Sequence, residues 1–281
     1  MMVLSLLIVG TIGLFRRWIP LPSALLAFFR GLIGAAVLGL RLLLRRGDAR
    51  APIPPGTLLG LALNGVFLGL NWMLLFEAFT LTTIARATLC YYLEPTIVLL
   101  LSPLVFHEAL SLKKLACAAA ALAGMALVAG VTPDSGPAAG ELRGVFLALG
   151  AAFFYALVVI LNKKLAGVDV WRRTAVQLFF AAAALVPYLL RQRAFAALTP
   201  EPRLLLLLLT VGVVHTGLAY ALYFGSMDGL RAQTISTLSY IDPVTSLFVS
   251  CIVLREALSP AAAAGAALIL GSAFISEREQ R

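Results

Sequence analysis

The residues able to do chemistry in this chain are few, and most stand inside apolar runs. Glu77, Glu94, Asp242, Arg30, Gln177 and His215 are the polar interruptions that draw the eye. A charge at the centre of a bilayer costs at least about 2.5–3.5 kcal/mol, so each acid there needs a partner, a proton or water. Glu77 closes the run Asn71-Trp72-Met73-Leu74-Leu75-Phe76-Glu77. It reads either as an interfacial carboxylate reaching headgroup water or as a site acid that faces a cavity and exchanges a proton. In the second case Arg30 is its partner while the cavity is empty. Glu94 and Asp242 each precede a proline. Proline removes one backbone hydrogen bond, and inside a membrane the freed groups must be satisfied by protein or water. The two acids either serve that need or bind a ligand or proton directly.

Arg30 pairs with an intramembrane acid or snorkels to the interface. Gln177 marks an inward polar position. His215 has either a hydrogen-bonded structural role or a cavity role. Trp72, Tyr91, Tyr92, Tyr220, Tyr223 and Tyr240 offer aromatic faces suited to lining a cavity, although aromatics also mark the interfacial belt. No catalytic residues, metal ligands or cofactor site are expected. The two histidines lack spaced acids, and neither a zincin motif nor a phosphate-binding loop is present. Cys90, Cys117 and Cys251 are isolated in apolar runs and read as small buried hydrophobes.

The elements that must position these residues follow from composition. The 281 residues are 61% hydrophobic and 12% charged, against about 25% charged in a soluble domain. That excludes an ordinary soluble enzyme, a disordered chain and a nucleic-acid-binding domain. Nucleic acid is not an expected partner despite the net charge of +9, because the basic residues sit between apolar runs. The expected class is an all-α integral membrane protein in contact with the lipid bilayer. Charge, Pro and Gly punctuate ten candidate spans of about 20 residues each. Their limits are 2–19, 22–44, 56–78, 84–106, 112–131, 142–162, 171–190, 203–225, 232–254 and 260–276. With the N-terminus inside, thirteen of the 22 Lys and Arg fall in inside loops and eight, Arg16 and Arg17 among them, count with the outside loops, which favours both termini in the cytoplasm. The first 15 residues carry no charge, and Arg16-Arg17 follow rather than precede them, which reads as a retained span and not a signal peptide.

The chain also resembles itself. At an offset of 148, Tyr92-Leu93-Glu94-Pro95 falls on Tyr240-Ile241-Asp242-Pro243, and Glu108-Ala109-Leu110-Ser111 falls on Glu256-Ala257-Leu258-Ser259. Near the start of each half the offset is about 147, which sets Arg30 on Gln177 and Arg16-Arg17 near Lys163-Lys164. Each half, 1–133 and 142–281, then holds five spans. An odd number inverts the second half, a construction that places a substrate site at the repeat interface. Glu108 and Glu256 read as helix-end contacts, with Ser111 and Ser259 as caps of the following helices. Gly65 and Gly69 form a GxxxG face, and Ala-rich runs at 116–121 and 261–264 allow close approach. Both are packing faces first and homodimer faces second.

These residues resemble the EamA-type branch of the drug/metabolite transporter superfamily. The resemblance rests on Tyr91-Tyr92-Leu93-Glu94-Pro95 with Glu108, on Gly217-Leu218-Ala219-Tyr220, and on Asp242-Pro243 with Glu256-Ala257-Leu258. It covers essentially the whole chain. It implies a ten-helix, multi-pass transporter of two inverted five-helix repeats, exporting a small-molecule substrate across the plasma membrane by alternating access. Family members move amino acids, nucleobase-type metabolites, quaternary amines and drugs. The chain departs from equal halves in one respect, since Gly225 stands where the first half has Glu77. A membrane-embedded enzyme or a non-transporting membrane protein is the alternative class. The cavity is expected between spans three, four, eight and nine, with spans five and ten at the periphery or at a dimer contact.

Overall fold

The computed structural model describes residues 1–44, 53–106, 112–129, 139–165, 168–198, 201–227, 238 and 241–278. Tyr240, Glu108 and Ser111, all singled out above, lie outside the described residues. The described residues are helical with no strand. That follows from the composition, because apolar segments in lipid must satisfy their backbone within themselves.

The helices run α1 (Met2–Gly10), α2 (Ile12–Trp18), α3 (Ser23–Leu44), α4 (Pro55–Leu81), α5 (Ile84–Tyr91), α6 (Glu94–Phe106), α7 (Leu112–Ala129), α8 (Ala139–Lys164), α9 (Val170–Arg191), α10 (Pro202–Leu209), α11 (Ala219–Met227), α12 (Ile241–Phe248) and α13 (Pro260–Arg278). A π-helical stretch, Thr210–Leu218, joins α10 to α11, and a second, Val249–Val253, continues α12. Among the described residues five helical stretches are long and apolar enough to cross a membrane. They are α3, α4, Ile84–Leu101, Gly140–Asn162 and α9. Leu115–Val128, Pro202–Leu218, Ile241–Val253 and Pro260–Ser272 are shorter apolar helices.

Two expected spans are divided. The first breaks at Thr11, between α1 and α2. The fourth breaks at Tyr92-Leu93, so Glu94 stands in the first turn of α6 rather than in mid-helix. Asp242 likewise stands in the first turn of α12. Both carboxylates thus sit where the positive end of the helix dipole favours them.

Small residues set the packing. α4 lies between α8 and α9. A Cβ built on Gly65 would come within 2.6 Å of the Gln177 carbonyl and the Phe180 Cβ, and one on Gly69 within 2.6 Å of the Ala181 carbonyl. The GxxxG face is therefore filled by α9 of the same chain. On its other side α4 meets the fully buried alanines Ala148, Ala151, Ala152 and Ala156 of α8. Asn64 and Asn71 stitch that contact, donating to the carbonyls of Val158 (3.0 Å) and Ala151 (2.7 Å). α7 and α13 pack on each other, with Gly124 and Gly265 at their crossing. Ser259 caps α13 by accepting from the Ala262 N–H at 3.1 Å. α3 packs against α9 and against the π stretch.

Gly69→Leu should overpack the α4–α9 crossing and lower stability by about 1–3 kcal/mol. Gly39→Ala, at a helical site where an added Cβ meets nothing within 4 Å, should leave stability unchanged or raise it by up to about 1 kcal/mol. Thermal unfolding of the two variants in one detergent checks the contrast.

Candidate functional site

The broken helices and the close crossings leave a cavity of about 410 Å³ inside the bundle. That falls in the range of about 300–1,000 Å³ typical of small-molecule sites. The first half contributes Ser5, Arg30, Trp72, Thr88, Tyr91, Tyr92 and Glu94 to its wall. The second half contributes Tyr155, Asn162, Thr174, Gln177, Tyr220, Tyr223, Asp242 and Ser246. Leu68, Leu75, Val158 and other apolar side chains complete it. α7 and α13 take no part.

Arg30 is the cation of the wall and is 5% exposed. Three glycines bring it its partner. Gly34 faces the Thr216 methyl at 2.5 Å from an added Cβ, Gly217 faces Val37, and Gly212 faces Ile33. These contacts press α3 against the π stretch. The Thr216 hydroxyl, which donates to the Val211 carbonyl at 3.2 Å, then accepts from Arg30 Nε at 2.9 Å. The guanidinium carbon lies 4.3 Å from the Trp72 ring centroid and 5.7 Å from that of Phe76, a cation–π placement. Arg30 forms no ion pair among the described residues.

Asp242 accepts from the Tyr92 hydroxyl at 2.6 Å, a bond between the two halves. Gln177 donates to Asn162 Oδ1 at 2.7 Å. Tyr91 and Tyr155 pack with ring centroids 5.7 Å apart. Glu94, Tyr220 and Tyr223 also face the cavity. The wall thus offers one cation, two carboxylates, amides, hydroxyls and aromatic faces. It can hold a small polar or charged molecule with an apolar body.

Of the residues predicted for the site, Arg30, Trp72, Tyr91, Glu94, Gln177, Tyr220, Tyr223 and Asp242 meet around this cavity. Glu77 does not. Its carboxylate accepts from the Ser23 hydroxyl at 2.6 Å, and Ser23 in turn accepts from Arg16 at 3.0 Å. Arg16, read from the sequence as a loop residue, is buried there, donating also to the carbonyls of Phe76 (3.2 Å) and Ile19 (2.9 Å). Glu77 is therefore on the Arg16 end of α4, and Arg30 is not its partner.

His215 also lies off the wall. Its Nε2 is 3.0 Å from the Thr11 hydroxyl, and its ring packs edge-on against Phe15 at 4.4 Å. Thr11 itself donates to the Ile8 carbonyl at 2.7 Å, so His215 pins the α1–α2 break. The cavity extends beyond the four expected spans, because α1, α3, α8 and α9 also line it. Ser5, Thr88, Tyr155, Asn162, Thr174 and Ser246 are wall residues that the sequence did not single out, whereas Tyr92 was among the aromatics expected there. Tyr155 and Asn162 are seven apart on α8, a same-face spacing that was available as a signal.

Thr216→Val keeps the shape of the side chain and leaves the Arg30 Nε–H without its acceptor. A loss of about 1–3 kcal/mol is expected, read as a lower unfolding midpoint in detergent, and Thr216→Ser should restore it.

Comparison with known proteins agrees with this geometry. The sequence profile of the EamA-like transporter family matches twice, over residues 1–130 and 142–277. An "Uncharacterized transporter" of Archaeoglobus fulgidus is 30% identical over 280 residues, which is 99% of this chain and 95% of that one. The "Uncharacterized transporter YxxF" of Bacillus subtilis is 29% identical over 246 residues, 88% of this chain and 78% of that one. A crystal structure, 24% identical, superposes with a TM-score of 0.66 over 99% of this chain and 96% of the other, and shows a shared fold. Two profile matches spanning nearly all of the sequence, on a helical bundle around a two-sided polar cavity, establish that the chain belongs to the EamA-like transporter family, as a multi-pass membrane transporter.

Proposed function

We propose that the protein is a secondary transporter of two inverted five-helix repeats, ten spans in all, that exports a small organic molecule by alternating access through this cavity. The observation that carries the reading is the composition of the wall. Both halves supply it, and it holds a buried cation and two carboxylates where lipid would forbid them singly. The packing supports the inverted arrangement. α3 against α9 and α7 against α13 are each a segment against its repeat mate, and α4 against α8 is matched by α11 against α1. The thirteen-to-eight distribution of basic residues supports cytoplasmic termini in the plasma membrane.

Arg30 is the anchor for an anionic group of the substrate. It is held by Thr216 and Trp72 rather than by an acid, so its charge stays available to the cavity. Glu77 is replaced as the proton-exchanging group by the carboxylates that reach the cavity, Asp242 and Glu94.

Reconstitution in liposomes, with labelled organic acids and amino acids under an imposed pH gradient, tests the reading. Arg30→Gln should lower uptake at least about tenfold, the scale of one lost charge-assisted contact. Asp242→Asn should remove the dependence on the pH gradient, and Glu77→Gln should keep it. Gradient dependence lost in Glu77→Gln and kept in Asp242→Asn would return the coupling role to Glu77.

A further inference from the structure

Two kinds of contact between the halves differ most sharply. α4–α9, α3–α9 and α7–α13 meet through glycine and alanine, backbone against side chain, with no room for water. The seam between α5 and the α12 segment is different, because it is made of polar rungs. Tyr92 donates to Asp242 at 2.6 Å. Thr88 and Ser246 share a hydrogen bond at 2.9 Å. The Ala85 N–H donates to the Ser250 hydroxyl at 3.1 Å, and the Ile84 N–H to Glu256 at 2.9 Å. The positions 242, 246 and 250 are four apart, so they form one stripe of the helix facing α5.

The stripe runs from the cavity to a membrane face. Tyr92, Asp242, Thr88 and Ser246 line the cavity. Glu256, at the far end, also takes a hydrogen bond from Ser250 and pairs with Arg17 at 2.7 Å, and Arg17 donates to the Thr82 carbonyl at 3.3 Å. The backbone is bent to put Glu256 there. The π stretch Val249–Val253 ends beside Arg255, which holds φ at 55°, in the left-handed region uncommon for a side-chain-bearing residue. Glu256 N–H then turns back to the Ser250 carbonyl at 3.0 Å.

We propose that this α5–α12 seam is the cavity's gate on the Arg17 face, closed in this structure, and that its rungs release together when the cavity opens to that side. A polar seam suits a gate. Each rung can be exchanged for a bond to water at small net cost, whereas an apolar seam would open by wetting apolar surface. Asp242 connects the gate to the cavity contents, since a ligand N–H or O–H that takes the place of the Tyr92 hydroxyl removes the innermost rung. Arg17 and Glu256 hold the outermost one. The proposal rests on the transporter reading.

The test uses the full chain in oriented membrane vesicles, with Cys90, Cys117 and Cys251 replaced and a single reporter cysteine at Leu75 on the cavity wall. Labelling by a membrane-impermeant thiol reagent is timed from each face. Arg17→Ala and Tyr92→Phe should each speed labelling from the Arg17 face by about tenfold, the effect of one lost cross-seam bond on a two-state equilibrium, and slow it from the opposite face. Tyr92→Phe removes one hydroxyl and keeps the ring, so it reports even where the charge variant lowers stability. Parent labelling rates from both faces, in variants that keep the parent's unfolding midpoint, would overturn the gate. The assay needs no substrate. A labelling response without movement of any tested solute would support the gate and count against the transport reading.

Discussion

Inside a bilayer a peptide N–H or a charged side chain has no water to turn to, and this constraint organises the structure. At three interruptions among the described residues, a side chain of one half bonds to the other half. At Thr11 the hydroxyl covers the Ile8 carbonyl and His215 covers the hydroxyl. At the start of α5, Ser250 and Glu256 from the other half receive the first N–H groups. At the Tyr92-Leu93 break, the tyrosine hydroxyl reaches Asp242. Breaks in one half are thus docking points for the other.

The same constraint explains how the bundle is both tight and hollow. Glycine and alanine let α3, α4, α8 and α9 approach until backbone meets side chain, which needs no polar group and yields van der Waals contact in a solvent that offers no hydrophobic drive. Polar residues gather at the seam and the cavity wall, with Asn64 and Asn71 of the α4–α8 contact as exceptions. Arg30 shows the cost of that division. It is buried, yet among the described residues its partners are a hydroxyl and two aromatic faces, not a carboxylate.

Much of this was legible in the sequence. The acid–proline pairs drew attention to Glu94 and Asp242, and the offset of about 147 led from Arg30 to Gln177; all four side chains line the cavity. What the repeat did not reveal was which residues pair. Alignment sets Tyr92 on Tyr240 and Glu94 on Asp242, but the contact crosses the halves, Tyr92 to Asp242. Such a bond depends on the docking of two units and not on either pattern alone. Glu77 was singled out because it lacks a counterpart, yet its place depends on the rotation of α4 and on Arg16. Arg16 looked like a loop residue because the division of the first span at Thr11 carries no proline. Ser5, Tyr155 and Thr174 were missed because a single polar or aromatic residue in an apolar helix faces lipid or cavity with equal ease until the neighbouring helices are in place.

The π stretch Thr210–Leu218 lies between the points where the repeat offset is 147, at Arg30 and Gln177, and where it is 148, at Glu77 and Gly225. The second half therefore holds one residue more than the first across this interval. A helix can absorb a single extra residue by widening one or two turns to i→i+5 bonding, without growing a loop. On that alignment the extra residue falls where the helix widens. At 3.6 residues per turn one residue amounts to about 100° of rotation. Excising it would return the segment to plain α-helix and swing either Thr216 away from Arg30 or Tyr220 and Tyr223 off the cavity wall. The asymmetry between the halves is thus written into the backbone itself as well as into the side chains: a single added peptide unit turns one set of groups toward Arg30 and the next set toward the cavity.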